Sequence, residues 1–249
     1  MTHSDFVGAS AAPESVPAGA AGAADLELEL PLAAVDERVP ERAPERGPDA
    51  LQQARDFAAA SETAAAITTL RALIAREPKH ARARGFLAEL LEKRGDSEGA
   101  LAELGRAVDV APDDVVILCQ RALLLTTKGR YDQAEADLRS AVRVDATSAD
   151  VQLQLGVLFC KRARWREAIE PLLAAVASDP SRVAAQYYLG EAYNSIDDLP
   201  AALSAYQAAA TLDPGHHRAL KAIGVVYDRL RRPDDAAIAY QRAREAQRR

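Results

Sequence analysis

The sequence predicts an all-α protein: an α-solenoid of about six helix-turn-helix repeats, preceded by a disordered N-terminal tail. Two observations lead to this prediction. Prolines recur at a fixed spacing, and columns of small and large apolar residues keep the same spacing. In addition, 49% of the chain is hydrophobic but only 5% is aromatic. The apolar content is therefore mostly alanine, leucine and valine, which favours closely packed helices over a β-sandwich or barrel.

The N-terminal tail, residues 1–46, differs in composition from the rest of the chain. Six of the thirteen prolines lie within the first 48 residues, and residues 1–50 hold ten acidic and three basic side chains, a net charge of −7. Such a segment buries too little apolar area to offset its ordering entropy, so we expect disorder. Within it, residues 26–31 read Leu-Glu-Leu-Glu-Leu-Pro. This motif is an incidental leucine cluster, a strand that adds to a partner's sheet, or a segment that docks into the protein's own groove.

The repeat period is set by four prolines. Pro78 and Pro112 are 34 residues apart, as are Pro180 and Pro214. Pro112 and Pro180 are 68 residues apart, and Ala146 occupies the position halfway between them. A fixed period of about 34 residues is typical of a helical repeat array. The period divides residues 47–249 into six windows: 47–80, 81–114, 115–148, 149–182, 183–216 and 217–249.

Columns of apolar residues predict two helices in each window. Small residues form one column on the first helix and an invariant alanine column on the second, so the two backbones can approach closely. Large apolar residues beside them fill the remaining space. The small column is Ala54, Ala88, Ala122, Gly156, Gly190 and Gly224, and the alanine column is Ala66, Ala100, Ala134, Ala168, Ala202 and Ala236.

Local signals set the predicted ends of the helices. The residue before a proline rarely continues a helix. Short side chains that can cap the next first helix follow the prolines, and proline is tolerated at the start of a helix but kinks its interior. The N-cap candidates are Asp113 or Asp114, Thr147 or Ser148, and Ser181. Loops are expected at Gly95, Gly129 and Asp197–Asp198, early prolines in second helices at Pro200 and Pro233, and a kink at Pro171.

These motifs resemble the tetratricopeptide repeat proteins over about 200 residues. The clearest stretch is Tyr188-Leu-Gly-Glu-Ala-Tyr193, followed by Ala201-Ala202, Tyr206, Ala209 and Asp213-Pro214. Leu155-Gly156, Phe159, Ala168, Ala175 and Asp179-Pro180 repeat it one period earlier. The resemblance implies a right-handed superhelix whose first helices line a concave groove for peptides or short helices. Arg121 departs from it by occupying a leucine column, and the polar helix that often closes such arrays is not present.

The resemblance also implies the residues that line the groove. The middle repeats offer an apolar centre with a charged rim, a common layout for a protein interface. For each residue, the alternative is inter-repeat packing. The centre is Val116, Cys119, Leu123, Leu153, Val157 and Tyr187, and the rim includes Arg82, Lys161, Glu191 and Asn194, with Glu89, Lys93, Asp150, Arg218 and Lys221. Some relatives clamp the C-terminal carboxylate of chaperones, but Glu191 would repel a carboxylate, so this role is disfavoured.

Composition and motifs disfavour several other classes of function. Residues 51–249 carry a net charge of only +1, which lacks the positive field that nucleic-acid binding requires. No apolar stretch is long enough to span a bilayer, and no Lys or Arg precedes Arg38 as a signal peptide would require. We therefore expect a cytoplasmic protein. The two cysteines form no CxxC pair, no acidic cluster joins His216 and His217, and no catalytic motif is present, so no cofactor, metal or enzymatic activity is expected.

The predicted function is a scaffold or adaptor that binds a partner peptide or helix in the concave groove and helps assemble a multiprotein complex. One alternative is a holding chaperone for secretion or pilus-like clients. Another, disfavoured by charge, is a helical-repeat nucleic-acid binder. Two further hypotheses are that the last repeat, which lacks a closing helix, supports self-association, and that the acidic tail regulates access to the groove.

Overall fold

Residues 49–248 are the part of the chain that the computed structural model describes, and they form twelve α-helices without a strand. The predicted tail at 1–46 and its motif at 26–31 lie outside these residues. The first helices of the six windows are α1 (Ala50–Ala59), α3 (Ala81–Lys93), α5 (Val115–Thr127), α7 (Ala149–Lys161), α9 (Val183–Ser195) and α11 (His217–Arg229). The second helices are α2 (Thr63–Arg76), α4 (Ser97–Val110), α6 (Tyr131–Val144), α8 (Trp165–Ser178), α10 (Leu199–Leu212) and α12 (Pro233–Gln247).

Every turn between a first and a second helix passes through one residue with positive φ. Glycine fills this position in two repeats, where it adopts the left-handed conformation without steric cost. In the other four repeats an L side chain must adopt it. The six residues are Ser61 (φ 64°), Gly95 (82°), Gly129 (73°), Ala163 (56°), Asp197 (68°) and Arg231 (57°). Because they follow each other at the same interval as the prolines, the backbone conformation itself repeats.

Side-chain caps begin several of the first helices. The Asp114 carboxylate accepts hydrogen bonds from the backbone N–H groups of Val116 and Ile117, and Ser148 caps α7. The expectation for Ser181 was wrong: α9 has Arg182 as its N-cap residue, without a side-chain cap. The Ser181 hydroxyl instead donates to Asp179 at 2.6 Å, because the Asp179 carboxylate already organises this turn by accepting bonds from its neighbours.

The core follows the predicted columns. The six alanines of the second helices are at most 1% exposed. A β-carbon on Gly156 would lie 3.4 Å from the Ala168 carbonyl oxygen and only 2.5 Å from Leu172 Cγ. The small column therefore meets both the alanine helix and the large residue beside it. Pro171 is buried inside α8, which continues without a break from Trp165 to Ser178.

Candidate functional site

The first helices lie on the inside of the curved array. Helices α3 and α5, α5 and α7, and α7 and α9 contact each other across the repeat boundaries. Among the described residues, successive second helices do not pack against each other to the same extent. Because the array is tighter on the side of the first helices, this side is concave, and it is the candidate site.

The apolar residues predicted for the groove differ in exposure. Val116 is 49% exposed and Leu123 is half-buried. By contrast, Leu153 and Val157 are each 2% exposed, and Tyr187 is 9% exposed. The structure therefore leaves accessible apolar surface on α5 and buries the predicted apolar groove residues of α7 and α9.

Cys119 is the predicted groove residue that belongs to the hydrophobic core. It is 8% exposed and lies in the same buried cluster as Leu87, Leu118 and Leu158. Burial, followed by the nearby carboxylates of Asp150, Asp137 and Asp114, raises the pKa of its thiol to about 12. A thiol with this pKa is protonated at neutral pH and is a poor nucleophile.

Cys160 has the same character. It is 7% exposed, and burial raises its pKa to about 12, with a further increase from the charge of Glu191. Its sulfur lies 4.0 Å from the carbonyl oxygen of Tyr188 on the next first helix. Both cysteines are free, and both act as small apolar residues in the packing.

The rim residues of α9 are held by hydrogen bonds to other helices. Glu191 accepts a hydrogen bond of 2.7 Å from the hydroxyl of Tyr206, whose side chain is fully buried. The backbone carbonyl of Asn194 accepts a bond of 2.9 Å from Arg229 on α11, and its side-chain oxygen and Asp197 accept further bonds from the same guanidinium. Arg229 thus ties α11 to the end of α9, a role that the sequence columns did not reveal.

An aromatic cluster lies beside Glu191. The ring of Tyr187 lies 5.4 Å from that of Tyr188, 5.8 Å from that of Tyr206 and 5.2 Å from that of His216, measured between ring centroids. Burial and then the charge of Glu191 raise the pKa of both Tyr187 and Tyr206. These tyrosines are therefore neutral hydrogen-bond donors that position the Glu191 carboxylate.

Exposed cations lie at the C-terminal end of the concave face. Arg218 and Lys221 on α11 are both exposed. The pKa of Lys161 on α7 is lowered, first by burial and then by the positive charge of Arg218, which indicates that cations from two first helices lie near each other. This part of the face suits an anionic segment of a ligand.

Arg82 lies at the opposite end of the predicted rim. It is exposed at the start of α3 and lines an open cavity of about 750 Å³ at the turn between α2 and α3. The other lining residues are Glu77, Pro78, Lys79, His80, Ala81 and Asp114. Arg82 is therefore accessible but far along the array from the cations of α11.

A buried ion pair replaces apolar packing in the third repeat. Arg121, the residue in the leucine column, makes two bonds to the carboxylate of Asp137 on α6, at 2.7 Å and 2.5 Å. The Asp137 residue is 5% exposed. The hydrogen bonds to Asp137 raise the pKa of Arg121. The ion pair explains why an arginine stands at position 121 in a column of leucines. The identity of this residue alone did not explain it.

A second ion network joins the third repeat to the fourth. The Glu135 carboxylate on α6 is 8% exposed and accepts bonds of 2.7 Å from both Arg162 and Arg164 in the turn between α7 and α8. Arg164 also pairs with Glu167. Buried and hydrogen-bonded charges of this kind fix the register of neighbouring elements more than they add stability.

Other kinds of site receive no support within residues 49–248. No group of three or more His, Cys, Asp or Glu side chains is arranged to hold a metal ion in this part of the chain. No helix in the same range is long and apolar enough to cross a membrane.

Comparison with known proteins identifies the repeat type. Three family models, each described as a tetratricopeptide repeat, match the chain: one over residues 57–118, one over 115–148, and one over 153–217 and 195–248. No curated protein matches the sequence.

Solved structures share the fold. A crystal structure of MamA is 26% identical, covers 65% of this chain and 95% of its own, and has a TM-score of 0.61. MamA from Desulfovibrio magneticus RS-1 is 24% identical, with 68% and 95% coverage and a TM-score of 0.63. YrrB, a tetratricopeptide repeat protein with an unusual peptide-binding site, is 23% identical, with 72% and 92% coverage and a TM-score of 0.61. Arrays of this kind present extended concave surfaces for binding other proteins.

Proposed function

Because the chain belongs to the tetratricopeptide repeat family, we propose that it is a non-catalytic scaffold. It binds an extended peptide or short helix of a partner protein along the concave face and so helps assemble a multiprotein complex. The observation that carries the proposal is the accessible apolar surface of Val116 and Leu123 on α5, on the same concave side as the exposed cations of α11. YrrB supports a peptide as the class of ligand.

The surface chemistry narrows the ligand within this proposal. An aliphatic side chain of the ligand contacts Val116 and Leu123, and an acidic segment lies near Arg218 and Lys221. The aliphatic side chain of such a ligand acts as an apolar anchor. Its acidic segment steers the ligand toward the cations, and this steering raises the association rate more than the affinity. Binding is therefore expected to weaken with salt, since exposed charges are screened over about 8 Å at physiological ionic strength.

The test compares partners that co-purify with the full chain and with two variants. Val116→Asp combined with Leu123→Asp places two charges on the concave face, one at an exposed and one at a half-buried position. Val144→Asp is the matched control, because Val144 is also 49% exposed but lies at the end of a second helix. We expect the double variant to lose partners that the wild type and the control retain. Equal retention by all three proteins would rule out the concave face as the binding surface.

Competition distinguishes an adaptor from a holding chaperone. An adaptor binds one peptide tightly, and unrelated apolar peptides do not displace it. A holding chaperone for secretion or pilus-like clients binds many such peptides weakly, and they compete with each other. Titration of a partner-derived peptide against unrelated peptides of equal length separates the two functions.

The acidic tail is proposed to compete for the same face. Residues 1–50 carry a net charge of −7, opposite in sign to Arg218 and Lys221. Deletion of residues 1–46 is expected to raise the affinity for the partner, as measured by calorimetry. An unchanged affinity would show that the tail does not regulate access.

A further inference from the structure

Five of the six second helices in residues 49–248 expose the same four positions. These positions are spaced i, i+4, i+7 and i+11, so they form one face of each helix. On α8, α10 and α12 we call this face the outer stripe, and all twelve of its residues are exposed. It consists of Arg166, Glu170, Leu173 and Ala177 on α8, Pro200, Ser204, Gln207 and Thr211 on α10, and Asp234, Ile238, Gln241 and Glu245 on α12.

Helix α10 carries no charged residue. It is the one helix of the twelve in residues 49–248 with this composition. Charged residues make up 27% of the chain, so about four would be expected in a helix of 14 residues with a solvated face. An uncharged exposed helix marks a surface that a second protein can approach without like-charge repulsion.

Large aliphatic side chains flank this uncharged helix on both sides. Ile238 on α12 is 59% exposed, the highest value among the large apolar residues described, and Leu173 on α8 is 45% exposed. Both belong to the outer stripe. Leu173 and Ile238 thus extend the uncharged surface of α10 onto the second helices of the two adjacent repeats.

We propose that the outer stripe binds the outer stripe of a second copy of this chain. The two copies are related by a two-fold axis parallel to α10, so that α10 packs on α10 and α8 of each copy lies against α12 of the other. A two-fold interface uses the same patch on both copies, and it must therefore be complementary to itself. The neutral centre meets this condition, because two chains of like net charge approach there without placing like charges together.

The flanks are complementary in this arrangement. Leu173 meets Ile238 of the other copy. The two residues are ninth and sixth in their helices, an offset of about 4.5 Å along the axis, which aliphatic side chains can span. Arg166 and Asp234 are each second in their helices, so Arg166 lies at the height of Asp234 of the other copy, whereas the opposite arrangement, with α8 against α8, would bring the two Glu170 side chains together. The charges therefore select the pairing of α8 with α12.

The expected interface is of modest size. Because the successive second helices that the structure describes do not pack closely against each other, the interface is centred on α10; three helices about 21 Å long present at most roughly 600 Å² per copy, which is at the low end for specific complexes. We therefore expect a dimer with a dissociation constant of about 1 µM or weaker.

The end face of the last helix pair is a weaker candidate for self-association. Positions that are apolar inside the array are charged in this repeat. Asp228, which is exposed, takes the position of Cys160, and Arg244, which is exposed, takes the position of Ala210. Cys160 and Ala210 are 7% exposed each. Desolvating these charges would cost free energy, so the outer stripe is the better surface for a second copy.

Sedimentation of the full chain over a range of concentrations tests the proposal. The wild type is expected to pass from one chain to two as concentration rises. Ser204→Glu, at the centre of the outer stripe, should raise the dissociation constant at least tenfold, because the two-fold axis brings two new charges together. Ala102→Glu is the control: Ala102 occupies the same exposed position on α4, outside the stripe, and this variant should dimerise like the wild type. A wild type that stays monomeric, or a Ser204→Glu variant that still dimerises, would overturn the proposal.

Charge reversal tests the arrangement of the two copies. Arg166→Asp and Asp234→Arg are each expected to weaken the dimer, and the combined variant should regain most of the wild-type affinity. If the combination is weaker than either single variant, the pairing of α8 with α12 is wrong. The groove variant Val116→Asp with Leu123→Asp should leave dimerisation unchanged, so failure of this inference is distinguishable from failure of the proposed function.

Discussion

Tyr206 occupies the space that a β-carbon on Gly190 would need. The ring Cδ1 atom lies 2.5 Å from the ideal position of that carbon, closer than two carbon atoms can approach. The same relationship holds between Gly224 and Tyr240. The first three repeats instead place alanine in the small column and leucine opposite it. In each repeat, the size of the residue in the small column is therefore matched to the large side chain opposite it on the second helix.

Gly190→Ala is accordingly expected to destabilise the protein by about 1–3 kcal/mol, the usual cost of overpacking a core. The cost should be smaller when Tyr206→Leu is already present, because this pair occurs natively at Ala88 and Leu104. Urea unfolding of the wild type, the two single variants and the double variant measures the coupling free energy between the two positions. Gly105→Ala is the matched control. No atom lies within 4 Å of a β-carbon at Gly105, so it should stabilise α4 by about 1 kcal/mol.

Ala163→Gly should stabilise the protein by about 1 kcal/mol, since the left-handed conformation is unfavourable for a residue with a β-carbon. Ala163 has a φ of 56° in the turn between α7 and α8. The reverse change, Gly129→Ala, places a β-carbon at the equivalent position and should destabilise by a similar amount. Thermal or urea unfolding checks both. A loss of stability in Ala163→Gly would show that chain entropy outweighs strain at this turn.

Removing one partner of the Arg121–Asp137 pair should be more costly than removing both. Arg121→Leu leaves an Asp137 carboxylate that is 5% exposed without its cation, which we expect to cost about 3 kcal/mol. Combining it with Asp137→Ala reproduces the apolar pairs of the fifth and sixth repeats, Leu189 with Ala205 and Ile223 with Ala239. The combined variant should unfold at a urea concentration close to that of the wild type. Equal losses in the single and combined variants would contradict this account.

His216 should make stability depend on pH below about 6.5. Its Nδ1 atom accepts a hydrogen bond of 3.0 Å from the N–H of Ala219 and so caps α11. Burial lowers its pKa below the ordinary value, and this effect outweighs the opposing charge of Asp213. The folded protein therefore binds fewer protons at His216 than the unfolded chain does, and the free energy of unfolding falls as pH drops below about 6.5.

His216→Asn tests this pH dependence, because asparagine caps a helix without titrating. The slope of unfolding free energy against pH should become smaller in this variant. His217→Asn is the comparison: His217 is exposed and its charge makes only a minor contribution to the lowered pKa of His216, so this substitution should change the slope less than His216→Asn does. An unaltered slope in His216→Asn would show that the pH dependence arises elsewhere.

Most of the fold was predictable because a single period repeats in independent columns. Signals that depend on a single residue were less informative. Asp114 and Ser148 do cap their helices, but Ser181 bonds to Asp179 instead. Competition between two nearby acceptors decides such a case, and the identity of one residue cannot resolve it.

The candidate site was less predictable than the fold. The family resemblance places both Val116 and Leu153 in the apolar centre of the groove, yet the first is 49% exposed and the second 2%. Exposure depends on the residues that surround a position in space. The bonds of Arg229 to Asn194 and Asp197 were likewise invisible, because these residues lie in different repeats and are far apart in the chain.

The sequence by itself determined the number of repeats, the pairing of helices within each repeat and the buried alanine column, since these depend on contacts that recur at one fixed spacing. Only the tertiary structure decided which side chains stay accessible and which charges find partners. Arg121 and Asp137, or Glu135 and Arg164, are brought together by the packing of helices. Because each such contact occurs only once, the repeat period of the sequence does not predict it.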